Sequence, residues 1–152
     1  MSEQSKESTF VLQRIYLKDV SFESPRAPDA FLKQWKPNVA LELNTSNVNI
    51  GKDNFEVTLG LTVTAKNEEE DVIYLVELQQ SGIFLIKGMT AERLAQTLGS
   101  FCPNLLFPYA RESLDSVVTK GSFPPLMLAP VNFDAIFLQA KASTEARSAT
   151  IQ

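Results

Sequence analysis

The sequence contains no histidine and a single cysteine, Cys102. The first absence removes the commonest general base and the commonest nitrogen ligand for metals. The second excludes a disulfide within the chain and would leave zinc only a carboxylate cage, for which no pattern is present. No metal, cofactor or enzymatic chemistry is therefore expected. No apolar run approaches the ~20 residues needed to cross a bilayer, so direct membrane insertion is not expected either. The opening Met1 to Thr9 has neither a basic n-region nor an apolar h-region, which argues against a signal peptide. Together with the lone free thiol, this predicts a cytoplasmic address. Clustered lysine and arginine are missing too. With 14 basic against 18 acidic residues the formal charge is −4, and the pI is near 4.9. Nucleic acid is an unsuitable partner for such a surface, and a basic peptide or protein suits it better.

What is present reads as one soluble domain of 152 residues, 44% apolar and 21% charged, long enough to bury a core unaided. The first half alternates. Val11, Ile15 and Leu17 interleave with Phe10, Leu12 and Tyr16, which predicts a first strand apolar on both faces and covered on both. Val39, Leu41 and Leu43 alternate with Ala40, Glu42 and Asn44, as in a strand half exposed to water. The clearest strand runs from Phe55 to Lys66. Asn67 to Asp71 then reads as a hairpin loop, and a fourth strand runs from about Val72 to Gln80. Between the first two strands, Ser24 to Pro37 holds three prolines and reads as a long crossover carrying Phe31 and Trp35. A Greek-key-like antiparallel sheet follows from this order.

The second half changes period. Thr90 can cap a short helix with Leu94, Ala95 and Leu98 on one face, and Gly99 is placed to stop it. Cys102-Pro103 fits the start of a longer helix, with Leu106, Ala110, Leu114, Val117 and Val118 as its apolar stripe. Pro108 either kinks that helix or marks its effective start. Lys120-Gly121 is an exit, and Pro124, Pro125 and Pro130 punctuate a loop before a short helix over roughly Asn132 to Ala140. The expected class is α+β, a four-stranded antiparallel sheet followed by helices. Residues 1–140 form the domain, and the apolar-poor residues 141–152 form a disordered tail.

Few residues invite chemistry. Cys102 has no histidine to act as its base and reads as a packing residue. Asn44-Thr-Ser46 matches a glycosylation acceptor that a cytoplasmic protein never presents to that machinery. Gly82 to Gly88 lacks the spacing of a phosphate loop and reads as a strand end and turn. Glu68 to Asp71 reads as a solvated acidic loop. Asp19, Glu23 and Glu77 are of more interest, because Leu75 and Glu77 share one sheet face while Tyr74, Val76 and Leu78 share the other. Ten phenylalanines, three tyrosines and one tryptophan are spread through loops and helix ends as well as strands. Core packing accounts for any single ring, whereas a groove for extended apolar peptides needs aromatic walls.

Four strings resemble the SecB family of export chaperones: Arg14-Ile-Tyr-Leu-Lys-Asp-Val-Ser-Phe-Glu-Ser-Pro25, Gln79-Gln-Ser-Gly-Ile-Phe84, Cys102-Pro-Asn-Leu-Leu-Phe-Pro-Tyr-Ala-Arg-Glu112 and Phe123-Pro-Pro-Leu-Met-Leu-Ala-Pro-Val-Asn-Phe-Asp-Ala-Ile-Phe137. In this order they cover Thr9 to Gln139. The resemblance implies a homotetramer, a dimer of dimers with sheets outside and helices packed at subunit interfaces. It also implies ATP-independent holding of unfolded precursor proteins and delivery to the SecA motor. Carried over residue by residue, Asp19, Glu23, Leu75 and Glu77 would face SecA. Trp35, Tyr74, Phe137, Phe31 and Phe84 would line the client groove. Ser81 stands where the family often has a second glycine, which would restrict a turn there. The tail carries Lys141 and Arg147 against Glu145, unlike the acidic tails common in the family, so a tail contribution to SecA binding is not expected. Rival readings are a small-molecule carrier built on the aromatic residues and a carboxylate hydrolase.

Overall fold

Strict alternation along one segment places it at the centre of the sheet. In the computed structural model, which describes residues 7–151 and the side chains of residues 7–146, Val57, Leu59, Leu61, Val63 and Ala65 are almost wholly buried. They belong to β3 (Asn54–Lys66), flanked by β2 (Asn38–Gly51) and β4 (Val72–Lys87). β1 (Thr9–Glu23) pairs with β4 on the far side, giving an antiparallel sheet of order β1-β4-β3-β2. Three strands joined by hairpins, and one that reaches them through the Ser24–Pro37 crossover, make the Greek-key arrangement expected. Within the crossover lies a single 3-10 turn, Asp29–Leu32.

β1 departs from its reading. Most of its apolar side chains share one face, because two bulges turn it, and only Val11 and Tyr16, opposite Leu85 and Ser81, keep to the other. Register slips between Leu12 and Arg14 and again between Leu17 and Asp19. Leu12, Ile15, Leu17, Val20 and Phe22 therefore oppose Phe84, Gly82, Gln80, Leu78 and Val76, all on the inner, helix-bearing side. Each extra residue resets the period-2 pattern, so odd and even apolar positions reach the same face.

β4 continues past Gln80 to Lys87, so Gly82 lies within the strand and the turn comes only at Gly88. A side chain at position 82 would meet Arg14 O at 3.0 Å and Leu106 Cδ2 at 3.1 Å. Glycine there lets a helix approach the sheet closely. Ser81 is likewise a buried strand residue whose Oγ lies 2.7 Å from Thr58 Oγ1, so no turn is restricted by it.

The helices also differ from their reading. Thr90 does cap α1 (Ala91–Gln96), accepting from the Arg93 N–H at 3.2 Å. Gly99 does not end it, while Cys102-Pro103 does stand in the first turn of the longer helix, as expected, though without a break before it. A π-helical segment, Thr97–Phe101, joins α1 directly to α2 (Cys102–Lys120) with helical backbone at every junction. The Cys102 N–H donates to Thr97 O across five residues, a wider turn placed immediately before Pro103, which has no N–H to give. Pro108 lies inside α2, which removes the alternative that it begins the helix. The stripe Leu106, Ala110, Leu114 and Val118 is fully buried against β3 and β4. Gly121 closes α2 by donating to Val117 O and Val118 O, both at 3.1 Å.

α3 (Phe133–Ile151) is the last correction. The helix expected to stop near Ala140 continues through the segment read as disordered. That segment holds no glycine or proline and is rich in alanine, so nothing in it breaks a helix once started. Asn132 caps it, accepting from the Ala135 N–H at 3.0 Å. Residues 1–6, read against a signal peptide, and the side chain of Arg147 lie outside the described residues.

Candidate functional site

Tyr74 is the hub of a ring cluster on the inner face. It is fully buried on β4, with Phe123 at 4.9 Å, Phe22 at 6.0 Å and Trp35 at 6.3 Å between centroids. Phe31 stacks on Phe123 at 5.2 Å. Trp35 and Phe31 keep 37% and 47% of their surface exposed, so the cluster grades from core to open apolar surface. A cavity of about 170 Å³ opens beside Trp35, walled by Ala30, Pro37 and Ile73 and rimmed by Lys33, Lys36 and Glu68. The buried Tyr74 hydroxyl has no hydrogen-bond partner among the described residues. Burial, and then the nearby Asp115 carboxylate, raise its pKa above the ordinary tyrosine value.

The wall containing Phe123 is held by polar contacts from α2. Asp115 Oδ1 accepts from the Leu126 and Met127 N–H groups at 3.0 and 3.3 Å, and Arg111 Nη1 donates to Leu128 O at 3.3 Å. The crossover is tied to the β3–β4 hairpin by an Arg26–Asp71 ion pair of 2.9 Å. Asp71 thus leaves the acidic loop to serve structure, while Asn67 Oδ1 accepts from the Glu69 and Asp71 N–H groups, both at 2.9 Å.

The remaining expected ring residues lie elsewhere. Phe84 is fully buried and packs on Phe10 at 5.6 Å, which in turn meets Phe101 at 5.2 Å. Phe137 is half-buried on α3 over Gly99, where an added Cβ would sit 2.5 Å from its Cδ1. Beside it, Ser100 and Asp134 share a short hydrogen bond. A second cavity of about 600 Å³ lies here, between Phe10, Met89, Arg93, Phe101 and Phe133. Trp35, Tyr74 and Phe31 are therefore brought together, and Phe84 and Phe137 are not. Sequence reasoning missed Phe22 and Phe123, which complete the first cluster, and Phe10 and Phe101, which build the second. Cys102 is fully buried, and burial pushes its thiol up to about 12, which leaves almost no thiolate at neutral pH.

The outer face has a different chemistry. Glu23 is registered opposite Leu75, Ser21 opposite Glu77 and Asp19 opposite Gln79. All four residues expected on this face thus share it, three exposed acids around a half-buried leucine. Glu42 extends the row, because Thr62 opposes both Glu77 and Glu42. A shallow cavity of about 220 Å³ lies between Asp19, Asn44, Glu77 and Gln79. Next to the patch, Tyr16 donates to Glu56 in a short hydrogen bond, and Lys18 Nζ bridges both Glu56 oxygens at 2.9 and 3.0 Å. The bonds from Tyr16 and then Lys18 hold the Glu56 carboxyl below its ordinary pKa. Burial, then Glu56, push the Tyr16 hydroxyl up to about 12.

A Greek-key sheet with helices on one side is the fold of a solved SecB-like chaperone. A SecB-like chaperone of Mycobacterium tuberculosis, solved in complex with a ChAD peptide from an antitoxin, shares this fold with a TM-score of 0.67. The match covers 80% of this chain and 90% of that one at 19% identity. The family model for the preprotein translocase subunit SecB matches residues 3–144. The protein-export protein SecB of Stutzerimonas stutzeri is 56% identical over 141 residues, 93% of this chain and 85% of the relative. That of Marinobacter nauticus is 58% identical over 139 residues, 91% and 84% respectively. The chain belongs to the SecB family, and its function is that of a chaperone in protein export.

Proposed function

We propose that the protein holds unfolded secretory precursors in the cytoplasm without ATP or any enzymatic step, keeps them export-competent and delivers them to SecA. The observation that carries this reading is the division of the sheet: rings behind it, acids in front of it. Clients dock on the exposed Trp35 and Phe31, which the buried Tyr74 and Phe123 and the half-buried Phe22 support from behind, and a bound segment extends toward Phe137 and the surface over the buried Phe84. Apolar burial at about 25 cal/mol per Å² holds them with little demand on sequence. SecA docks through basic groups on Asp19, Glu23, Leu75 and Glu77, leaving the client in place.

The working unit is a homotetramer, a dimer of dimers with helices at the subunit interfaces. Its support is β1, an unpaired sheet edge on which Val11, Leu12, Leu17 and Val20 each keep more than a third of their surface exposed. Such an edge is covered in a stable soluble protein. One long client then spans several grooves and gains affinity from their number. Residues 1–140 suffice for holding, and the segment beyond them is dispensable for SecA.

The test pairs two assays on one preparation. A reduced, unfolded protein should bind and be kept from aggregating, and SecA should be retained by the immobilised chaperone. Binding of compact small ligands with indifference to unfolded chains would favour a carrier using the 600 Å³ cavity instead. Light scattering that returns a stable monomer at micromolar concentration would remove the tetramer.

A further inference from the structure

We propose that Tyr16, Lys18 and Glu56 are positioning residues for the motor-facing patch, because they hold the β1 bulge that turns Asp19 and Glu23 to the outer face. The proposal rests on the reading that SecA docks on that face. Up to Leu17 the strand alternates with Tyr16 outward, opposite Ser81, and Leu17 inward, opposite Gln80. Uninterrupted alternation would send residue 18 outward and Asp19 inward, with Ser21 and Glu23 following it and Val20 and Phe22 exposed. Instead Leu17 faces Gln80 and Asp19 faces Gln79, so Lys18 is the extra residue. Lys18 and Asp19 both project outward, and every acid of β1 beyond them gains the face it needs.

A bulge is a local choice between registers, so something must favour it. Lys18 reaches across the intervening β4 to Glu56 on β3, and Tyr16, two residues earlier, reaches the same carboxylate. That span is two strand spacings, roughly 10 Å, and only long side chains bridge it. The carboxylate is half-buried and bound from both sides of Leu17, so the residue before the slip and the extra residue itself are pinned to one point. None of the three needs to touch SecA.

Charge and position make opposite predictions here, which allows a clean test. Lys18→Gln removes a positive charge beside an acidic patch. If charge alone mattered, a basic partner would bind tighter. If position matters, SecA binding weakens, by about threefold to fivefold, the scale of one polar contact. Tyr16→Phe changes no charge and should weaken binding similarly. In both variants the amides of Leu17 to Ser21 should exchange faster with deuterium, while client holding is followed as a control. Lys18→Gln that binds SecA as well as or better than the unaltered protein, while Asp19→Lys loses it, overturns the positioning role and keeps the docking face. Unchanged exchange across the bulge also overturns it, whatever SecA does. Client holding that falls in parallel with SecA binding would reduce the network to a general structural role. If Asp19→Lys and Glu77→Lys both bind normally, the docking face is wrong and the positioning role falls with it.

Discussion

β3 and β1 are strands of the same sheet and of similar length, yet only one of them can be read by counting. β3 is paired on both sides, covered by α2 on one face, and keeps a period of two from Val57 to Ala65. β1 is an edge with one neighbour, and it breaks period twice. A central strand has no room to bulge without disturbing two ladders, whereas an edge strand disturbs one. The difference lets the edge combine two tasks. It sends most of its apolar residues inward to the rings, although these change parity twice along the chain, and its acids Asp19 and Glu23 outward. The same contrast recurs across the thickness of the sheet, where Tyr74 and Leu75 are consecutive yet belong to opposite chemistries.

The contrast can be broken most severely from the inside. Tyr74→Ala should cost about 3–5 kcal/mol of stability, against about 0.5 kcal/mol or less for Glu77→Ala, in urea unfolding at matched protomer concentration. Equal losses would mean that the two faces do not differ as described. Gly99→Ala, which drives a methyl into Phe137, should destabilise by about 1–3 kcal/mol and be partly rescued by Phe137→Leu. Trp35→Ala should weaken a short client peptide by roughly 1–3 kcal/mol while the fold survives. The indole emission of the unaltered protein should shift on client addition. A destabilised variant that binds peptide normally would instead make Trp35 a core residue.

On the outside, Glu77→Lys should weaken SecA about tenfold or more, which is about 1.4 kcal/mol, and added salt should weaken the unaltered complex in the same direction. The smallest effect concerns pH. Glu56 has a lowered pKa in the folded chain, so its contribution is present above the ordinary glutamate value and is lost as pH falls through the folded value. Glu56→Gln should therefore flatten the acid limb of the stability profile. A variant with the same limb as the parent would show that the network adds nothing measurable.

The strands, the crossover and the helix stripe were legible because each depends on near neighbours in sequence. The pairing of Leu75 with Glu77 on one face was legible for the same reason. Bulges were not, since nothing in Leu17-Lys-Asp19 announces an extra residue; it appears only when β4 supplies the register. The π segment was hidden similarly, because glycine and proline read as stop and start signals when in fact a wider turn accommodates both. Trp35, Tyr74 and Phe31 were named for a client groove and the fold brings them together, but Phe22 and Phe123 meet them only through contacts of about 50 and 90 residues' separation, which no local pattern encodes.

The central claim is that client and motor use opposite faces of one sheet. It is tested most directly by mixing the chaperone with a labelled unfolded precursor and SecA, without nucleotide, and sedimenting the mixture. The account predicts one species containing all three, with the client bound as tightly as in the absence of SecA. Stoichiometric displacement of the client by SecA would contradict it.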